Sequence, residues 1–320
     1  MSRMQRVGLE ELPRHLETTY RTRVVRIEEL DRGTYRVERA EGPSWIARLF
    51  PAERPLDQTR GDAEILRVLA ELEFPAERCA APDPVSVLEG QAVLVTEFVP
   101  GVPRAGRREA IRNAGGLAAL GWLLGRLHTL PSSGATARPG GAWHHLADGP
   151  PGAEIAALGR LLDDAERPVD LTGVALYETL KEQVRALDDG GGLPECFVHP
   201  DFVLANVVAP PTGGLVLVDW TGAGQAARAW SLAFLLWSVG FAGDLLRVDR
   251  IVAGYRRHVI PEPDELERLE ALIRVRPTVF NTWAFCTGRK TLAEAAASIT
   301  ANCDAAAAIA DRARSAFTSR

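Results

Sequence analysis

Apolar residues in the first hundred positions occur in short runs that glycine and proline interrupt. Residues 35–40 and 44–50 are rich in β-branched, aromatic and apolar side chains, and Glu41-Gly42-Pro43 separates them. A pair of such runs around a Gly-Pro breaker predicts a β-hairpin. Residues 92–96 (AVLVT) are almost wholly apolar. A short run of this kind predicts a strand that is buried on both faces.

Helical spacing of apolar residues first appears at residues 62–73, where Asp62 stands near the start as a cap. After residue 101 the pattern becomes predominantly helical, beginning with residues 117–128. Later segments predict further helices, at 173–187, 230–239, 249–258, 264–275 and 291–317. The sequence therefore predicts an α+β protein whose strands are concentrated near the N-terminus.

A chain of 320 residues is long enough to favour two lobes over one compact domain. We assign residues 1–96 to a small β-rich N-terminal lobe with one main helix. Residues 97–101 (EFVPG) form a hinge, and residues 102–320 form a larger, mostly α-helical lobe.

Composition and charge narrow the class of partner. The chain is 46% hydrophobic and carries a formal net charge of -5, which argues against a nucleic-acid backbone as the main partner. The longest apolar run, residues 232–242, is far shorter than the ~20 residues that a membrane-spanning helix needs. The first residues contain no apolar stretch typical of a secretory signal. We expect a cytoplasmic protein that binds small molecules, with neither a nucleic-acid nor a membrane partner.

One β-rich interval lies among the later helices, with apolar residues 207–209 and 215–218 on either side of Pro210-Pro211-Thr212-Gly213-Gly214. It predicts a hairpin. A turn centred on residues 212–213 would place Asn206 opposite Asp219, about 5 Å apart, whereas a turn centred on residues 213–214 would make them diagonal neighbours at roughly 7 to 8 Å. An amide oxygen beside a carboxylate suits Mg²⁺, which prefers oxygen ligands.

Asp201 precedes Asn206 by five residues and adds a third chemical group. In phosphoryl transfer to a hydroxyl group, an aspartate can orient the attacking oxygen and accept its proton, while a metal ion neutralises charge on the phosphates. The three side chains together therefore predict phosphotransferase chemistry.

The same segment resembles the aminoglycoside phosphotransferase and choline kinase-like superfamily, which has a protein kinase-like fold. The resemblance rests on His199-x-Asp201-x4-Asn206, followed by Asp219-Trp220 after an apolar strand. Further similar segments occur in the expected order, namely WIARL at 45–49, EILRVL at 64–69, VTEFVPG at 95–101 and LGRLH at 124–128.

The resemblance implies a bilobal fold, in which the lobe of residues 1–96 binds nucleotide and the lobe of residues 102–320 serves catalysis and acceptor binding. It implies transfer of the γ-phosphoryl group of ATP or GTP to a hydroxyl group of a small molecule. It further implies that Asp201 is the catalytic base and that Asn206 and Asp219 hold Mg²⁺. The backbone of Glu97 and Val99 would receive the nucleotide base. Aminoglycosides, other amino alcohols and sugars are all acceptor classes that the motif allows. Antibiotic resistance is therefore one of several biological roles that fit the motif.

Two positions depart from the family pattern, since Pro200 replaces a glycine of the loop and Ser231 replaces the aspartate of a later Asp-Leu-Ala segment. Proline fixes φ near -65° and would make the loop more rigid. His199 is expected to brace this loop through hydrogen bonds rather than to carry catalysis.

The phosphate-binding lysine of the family is also missing, because the chain has only Lys181 and Lys290. Arg48 would take its place, binding phosphates and pairing with Glu64. A sparse glycine loop around Gly33 would cover the nucleotide.

Two other functions remain open. A nucleotide-binding pseudokinase with a regulatory role would explain the unusual Arg48 and the single glycine at Gly33. A metal-dependent hydrolase using His199 and Asp201 as ligands is less favoured, since the six histidines of the chain show no cluster.

Overall fold

The computed structural model describes residues 11–102, 106, 109, 111, 115–132 and 134–319. The chain divides into two compact units. The first comprises Met1–Val102 and Val207–Thr221, and the second comprises Pro103–Asn206 and Gly222–Arg320. The boundary after Asn206 therefore runs through the segment that carries the predicted catalytic motif.

The elements of the first unit in chain order are α1 (Glu11–Tyr20), β1 (Val24–Asp31), β2 (Thr34–Arg39), β3 (Trp45–Leu49), α2 (Leu56–Glu71), β4 (Val85–Leu88), β5 (Gln91–Glu97), β7 (Val207–Val208) and β8 (Val216–Leu217). A five-stranded antiparallel sheet forms the centre of this unit, with strand order β1-β2-β3-β5-β4, and β7 pairs with β8. The register pairs Tyr35 with Ala47 and Ala47 with Val95. The predicted hairpin of β2 and β3 and the predicted strand β5 are confirmed.

Side chains alternate across β3, as the two-residue period of a strand requires. Trp45 and Ala47 are buried in a cluster with Leu12 and Leu16 of α1 and with Val95 of β5. This apolar face fixes the register of the strand, because a slip of one residue would expose every buried side chain. The intervening residues of β3 are thereby fixed on the opposite face.

The helix α2 begins six residues before the predicted start at Asp62, and Pro55 occupies its N-cap position. Proline is tolerated at the start of a helix because the first amides have no helical partner. Asp62 therefore lies inside the helix, where its side chain is buried. The prediction that Asp62 caps the helix is wrong.

Helices dominate the second unit. They are α3 (Gly116–Leu127), α4 (Pro151–Asp163), α5 (Leu171–Arg185), α6 (Arg228–Gly240), α7 (Leu246–Tyr255), α8 (Pro263–Cys286) and α9 (Leu292–Thr318), and two short strands, β6 (Glu195–Val198) and β9 (Gly224–Ala227), pair antiparallel. A β-rich N-terminal part and a helical C-terminal part confirm the predicted α+β class.

The helix α8 continues past Pro277 to Cys286, beyond the predicted end at residue 275. Proline removes one helical hydrogen bond, and burial of Val275, Arg276 and Val279 on either side favours the continuous helix over a break. In the described part of the chain, no helix is both long and apolar enough to cross a membrane.

Candidate active site

Arg48 lies on the face of β3 opposite the buried Trp45 and Ala47. Its Nη1 donates to Asp219 Oδ1 at 2.6 Å and to the hydroxyl of Thr221 at 2.7 Å. The Arg48 side chain is 17% exposed and that of Asp219 is 24% exposed. The basic residue of β3 and the predicted metal-binding aspartate are therefore ion-paired within the first unit.

Three carboxylates surround the guanidinium group of Arg48. Burial lowers the pKa of Arg48, but Asp219, Glu77 and Asp62 together outweigh it, so that its pKa lies above the ordinary value of arginine. Arg48, Asp62 and Glu77 line a small cleft together with Thr96. Arg48 is consequently a stable cation at this site.

Glu77 holds the backbone of Asp219. Its Oε1 accepts from the Asp219 amide at 2.7 Å, and its Oε2 accepts from the Thr96 hydroxyl at 2.9 Å. Asp219 has a φ of 72°, in the left-handed region that aspartate tolerates better than most residues. The buried Glu77 thus fixes both the position and the unusual conformation of Asp219.

The prediction that Arg48 pairs with Glu64 is wrong. The Glu64 side chain is 59% exposed and pairs with Arg67 at 3.4 Å. Asp62 lies two residues earlier in α2, so that it projects from roughly the opposite side of the helix. It pairs with Arg54 at 2.9 Å and faces the cleft that contains Arg48.

Asp62 and Glu77 are functional candidates that the sequence analysis missed. Asp62 had a signal, since it shares helical spacing with Leu66 and Leu69 on the apolar face of α2. A carboxylate in such a stripe indicates a buried charge with a partner. Glu77 follows Pro75 in an irregular segment, and nothing in its neighbours along the chain indicates its role.

The second unit contains the loop after β6, in which Asn206 contacts Asp201. Asn206 Nδ2 donates to the Asp201 carboxylate at 2.7 Å and to the Asp201 carbonyl at 3.0 Å. Asn206 is 3% exposed. The five-residue spacing of the motif therefore closes a short loop in which the amide of one side chain orients the carboxylate of the other.

His199 anchors the same loop, as expected. Its Nδ1 accepts from the Asp201 amide at 3.1 Å, and its carbonyl accepts from the Ser231 hydroxyl at 3.0 Å. An accepting Nδ1 places the proton of a neutral imidazole on Nε2. Ser231, which replaces an aspartate of the family pattern, therefore still tethers the loop to α6.

The hairpin of β7 and β8 has a different register from both predicted ones. Val207 pairs with Leu217 and Val208 with Val216. The reason is that the β-turn closes earlier, between Pro210 and Gly213, with a hydrogen bond of 3.0 Å. Gly213 and the following Gly214 both have positive φ and add an unpaired residue on one side. Both predicted pairings of this hairpin are wrong.

Gly33 lies in the turn between β1 and β2, with a φ of 72°. A Cβ atom there would lie 2.8 Å from the Leu49 carbonyl, so the turn itself requires glycine. In the predicted hinge, the backbone amide of Glu97 donates to the carbonyl oxygen of Arg78, and Val99 follows the end of β5. The roles of Gly33, Glu97 and Val99 in nucleotide binding stay predictions.

The donor atoms predicted for Mg²⁺ have suitable chemistry. The described residues contain no group of three or more His, Cys, Asp or Glu side chains that could hold a metal ion by themselves. Asn206 uses its Nδ2 for Asp201, and its Oδ1 makes no hydrogen bond to any residue that the structure describes. This oxygen and the Asp219 carboxylate are hard ligands, and Mg²⁺ needs only one or two of them beside water and phosphate.

Aromatic side chains form a cluster around Trp143 in the second unit. The Trp143 ring packs edge-on against His145, Phe280 and Trp283, with centroids 4.8, 4.9 and 5.2 Å apart. Trp143 and Trp283 are only partly buried. These contacts join α8 to the loop at 143–145.

The family model described as the phosphotransferase enzyme family matches residues 23–272. No curated protein matches the chain in sequence. A microcompartment-associated aminopropanol kinase is 18% identical, with a TM-score of 0.65 over 97% of this chain and 99% of that one. An amicoumacin kinase in complex with AMP-PNP and Ca²⁺ is 15% identical, with a TM-score of 0.62 over 95% and 93%.

A choline/ethanolamine kinase family protein from Mesorhizobium loti is 16% identical, with a TM-score of 0.63 over 96% of this chain and 98% of that one. Identities this low show a shared fold, and the family model supplies the membership because it spans well over half of the chain. The chain belongs to the phosphotransferase enzyme family, as its catalytic motif indicated, and is a small-molecule phosphotransferase.

Proposed function

We propose that this protein transfers the γ-phosphoryl group of ATP or GTP to a hydroxyl group of a small molecule, with Asp201 as the base. The observation that carries the proposal is the hydrogen bond of 2.7 Å from Asn206 Nδ2 to the Asp201 carboxylate. A carboxylate held in one orientation can receive the proton of an attacking hydroxyl group without first reorganising.

Asn206 and Asp219 are the proposed ligands of Mg²⁺. The bound ion would neutralise the charge that develops on the phosphates during transfer. Asn206 would contribute Oδ1, since its Nδ2 is engaged by Asp201. Asp219 would contribute its carboxylate, which Glu77 holds through the backbone amide.

Arg48 is proposed to bind the nucleotide phosphates in place of the family lysine. A guanidinium group offers several donors in a planar fork and can bind phosphate oxygens in bidentate fashion. Only Nη1 of Arg48 is used by Asp219 and Thr221. The same residue can therefore contact Asp219 and a phosphate group at the same time.

The acceptor is proposed to be an amino alcohol or a similar hydroxylated amine. The structures that share this fold include an aminopropanol kinase and a choline/ethanolamine kinase family protein. The partly buried aromatic ring of Trp143 supports this class, because aromatic faces attract cationic groups. The neighbouring Trp283 ring already has such a contact, with the Arg289 guanidinium 4.3 Å from its centroid. Aminoglycosides and sugars remain in the set to be tested.

The test is a screen of hydroxylated compounds with Mg²⁺ and either ATP or GTP, in which release of the nucleoside diphosphate is measured. The proposal expects release that depends on one class of acceptor, and ³¹P NMR should identify a phosphate ester in the product. Absence of acceptor-dependent release across amino alcohols, aminoglycosides and sugars would contradict the proposal. The cytoplasmic location and the lack of nucleic-acid and membrane partners stay predictions, which this test does not address.

A regulatory nucleotide-binding pseudokinase is the second candidate. The ion pair between Arg48 and Asp219 favours it, because a permanent cation occupies one oxygen of the carboxylate proposed for Mg²⁺. This candidate expects tight nucleotide binding that needs no metal ion, with no turnover on any acceptor. The proposed phosphotransferase expects nucleotide affinity to rise when Mg²⁺ is added.

A further inference from the structure

Arg276 is a buried arginine in the middle of α8, and only 2% of it is exposed. Its Nη1 donates to Glu154 Oε1 of α4 at 2.6 Å, and Glu154 is completely buried. Trp230 and Phe234 of α6 cover the guanidinium group, with ring centroids 5.2 and 5.0 Å away. The second unit thus encloses a complete ion pair in its interior.

A buried ion pair is a weak source of stability. Removing two charges from water costs so much free energy that apolar residues of similar volume often stabilise a fold equally well. The packing around Arg276 is apolar and aromatic, so a methionine would suit it. The identity of the groups that Arg276 contacts is therefore more informative than its contribution to stability.

Arg276 Nη2 donates to the carbonyl oxygen of Pro200 at 2.7 Å. Pro200 directly precedes Asp201, and its ring already fixes φ. The remaining soft torsion of that residue is ψ, and rotation about ψ moves the Pro200 carbonyl and the Asp201 amide together. Arg276 holds the carbonyl, and His199 accepts from the Asp201 amide on the other side of the same peptide group.

The same ion pair holds a second segment. Arg276 Nη2 also donates to the Gly141 carbonyl at 3.1 Å, and Glu154 Oε2 accepts from the Trp143 amide at 2.7 Å. Trp143 is the centre of the aromatic cluster described above. The two charged side chains therefore connect the peptide before Asp201 with the peptide that carries Trp143.

We infer that Arg276 is a positioning residue for Asp201, that Glu154 holds Arg276 in place, and that the pair fixes the base relative to the aromatic surface around Trp143. The inference rests on the proposed function, in which Asp201 is the base. Arg276 itself does not contact substrate in this proposal. Its replacement is expected to change the rate of transfer and the binding of the acceptor, and to leave nucleotide binding unchanged.

The double variant Arg276→Met/Glu154→Gln tests this inference without leaving a buried charge unpaired. Glutamine keeps an oxygen for the Trp143 amide, and methionine fills the volume of the arginine stem. Arg268→Met is the matched control, because Arg268 lies in the same helix and also binds a carboxylate and a backbone carbonyl, those of Asp188 and Gly191. Urea unfolding establishes that each variant is folded at the assay temperature.

We expect kcat of the double variant to fall roughly ten- to hundredfold, because a shift of about 1 Å in a catalytic group has an effect of that size. The dissociation constant for nucleotide should equal that of the wild type, and Arg268→Met should retain the wild-type kcat. Arg276→Lys should be intermediate, since one ammonium group cannot bind Glu154 and both carbonyls as a fork does. An unchanged kcat in the folded double variant would overturn the inference.

Hydrogen exchange separates this inference from the proposed function. The amides of Asp201 and Phe202 should exchange faster in the double variant than in the wild type and in Arg268→Met, whether or not an acceptor is found. Faster exchange in a protein without turnover would uphold the anchoring by Arg276 and reject the phosphotransferase proposal. Unchanged exchange at these two amides would reject the anchoring by Arg276, even in an active enzyme.

Discussion

Arg48 and Asp219 are joined by a hydrogen bond of 2.6 Å between Nη1 and Oδ1, although 171 residues separate them in sequence. Glu77 holds the Asp219 amide, and Thr221 accepts from the same Nη1 atom. The first unit thus contains a network in which one cation and several carboxylates compensate each other's burial. Nucleotide phosphates entering this network would meet a cation that is already oriented.

Replacing Arg48 by alanine should weaken nucleotide binding by roughly ten- to hundredfold, the loss expected for charge-assisted hydrogen bonds to phosphate. Isothermal titration calorimetry with a non-hydrolysable nucleotide measures the effect directly. Arg67→Ala is the control, because Arg67 lies on the exposed side of α2 and pairs with Glu64. Equal affinities of Arg48→Ala and the wild type would show that Arg48 binds no phosphate.

Replacing Glu77 by alanine should lower the free energy of unfolding by about 1 to 3 kcal/mol, because the Asp219 amide and the Thr96 hydroxyl would lose their shared partner. Glu77→Gln should cost less, since its amide group can accept from the Asp219 amide and donate to Thr96. Urea denaturation of both variants provides the comparison. The proposed role of Glu77 in holding Asp219 fails if the two variants are equally stable.

Gly121 of α3 and Gly254 of α7 lie where the two helices cross, and the second of them provides a test of the packing in the second unit. A Cβ atom at Gly254 would lie 1.9 Å from the Ala118 carbonyl, so the two helix backbones must separate to admit alanine. Gly254→Ala should therefore destabilise the protein by roughly 1 to 3 kcal/mol or more. A gain in the free energy of unfolding would show that the helices do not cross this closely.

Gly159→Ala in α4 is the matched control, because a Cβ atom there would have no neighbour within 4 Å. Alanine is favoured over glycine inside helices by about 0.5 to 1 kcal/mol, so this variant should be slightly more stable than the wild type. Opposite signs for the same substitution at two helical positions would isolate the effect of the close crossing.

His128 should make the stability of the protein depend on pH. Burial, and secondarily Arg228, lower the pKa of His128 to about 3, while its Nδ1 hydrogen-bonds to the Tyr255 hydroxyl at 2.8 Å. Between the unfolded pKa near 6.5 and about 3, the unfolded chain binds a proton that the folded chain does not. Stability from neutral His128 is thus fully present above pH 6.5 and is lost as the pH falls.

The expected slope is about 1.4 kcal/mol per pH unit once the unfolded histidine is protonated. Urea unfolding between pH 7.5 and 4.5 should show a steeper fall for the wild type than for His128→Asn by about this amount. Tyr255→Phe keeps the histidine and should keep the steep slope. Parallel curves for wild type and His128→Asn would contradict the low pKa of His128.

Local patterns were sufficient for much of the fold. The strands β2, β3 and β5 and the helix α3 were predicted because their own apolar spacing determines which face is buried. The start of α2 was not predicted correctly, since residues 56–61 are mostly polar and their helical state depends on the rest of the helix. The helix α4 was missed because it begins with Pro151 beside a loop rich in glycine and proline.

The candidate site shows the same division between local and distant contacts. Asp201 and Asn206 are five residues apart, so their spacing already indicated a closed loop. The contacts of Glu77 with Asp219 and of Arg276 with Pro200 span 142 and 76 residues. No local pattern encodes such pairs, and a turn one or two residues earlier than predicted was enough to change the register of β7 and β8.

Asp201→Asn provides the most direct test of the proposal that Asp201 is the base of a phosphotransferase. Asparagine keeps the size of the side chain and an oxygen for the Asn206 amide, but it cannot accept the proton of the acceptor hydroxyl. Acceptor-dependent release of nucleoside diphosphate, measured at saturating nucleotide, should fall roughly a hundredfold or more, with nucleotide affinity unchanged. Retention of the wild-type rate by Asp201→Asn would contradict the proposed role of Asp201.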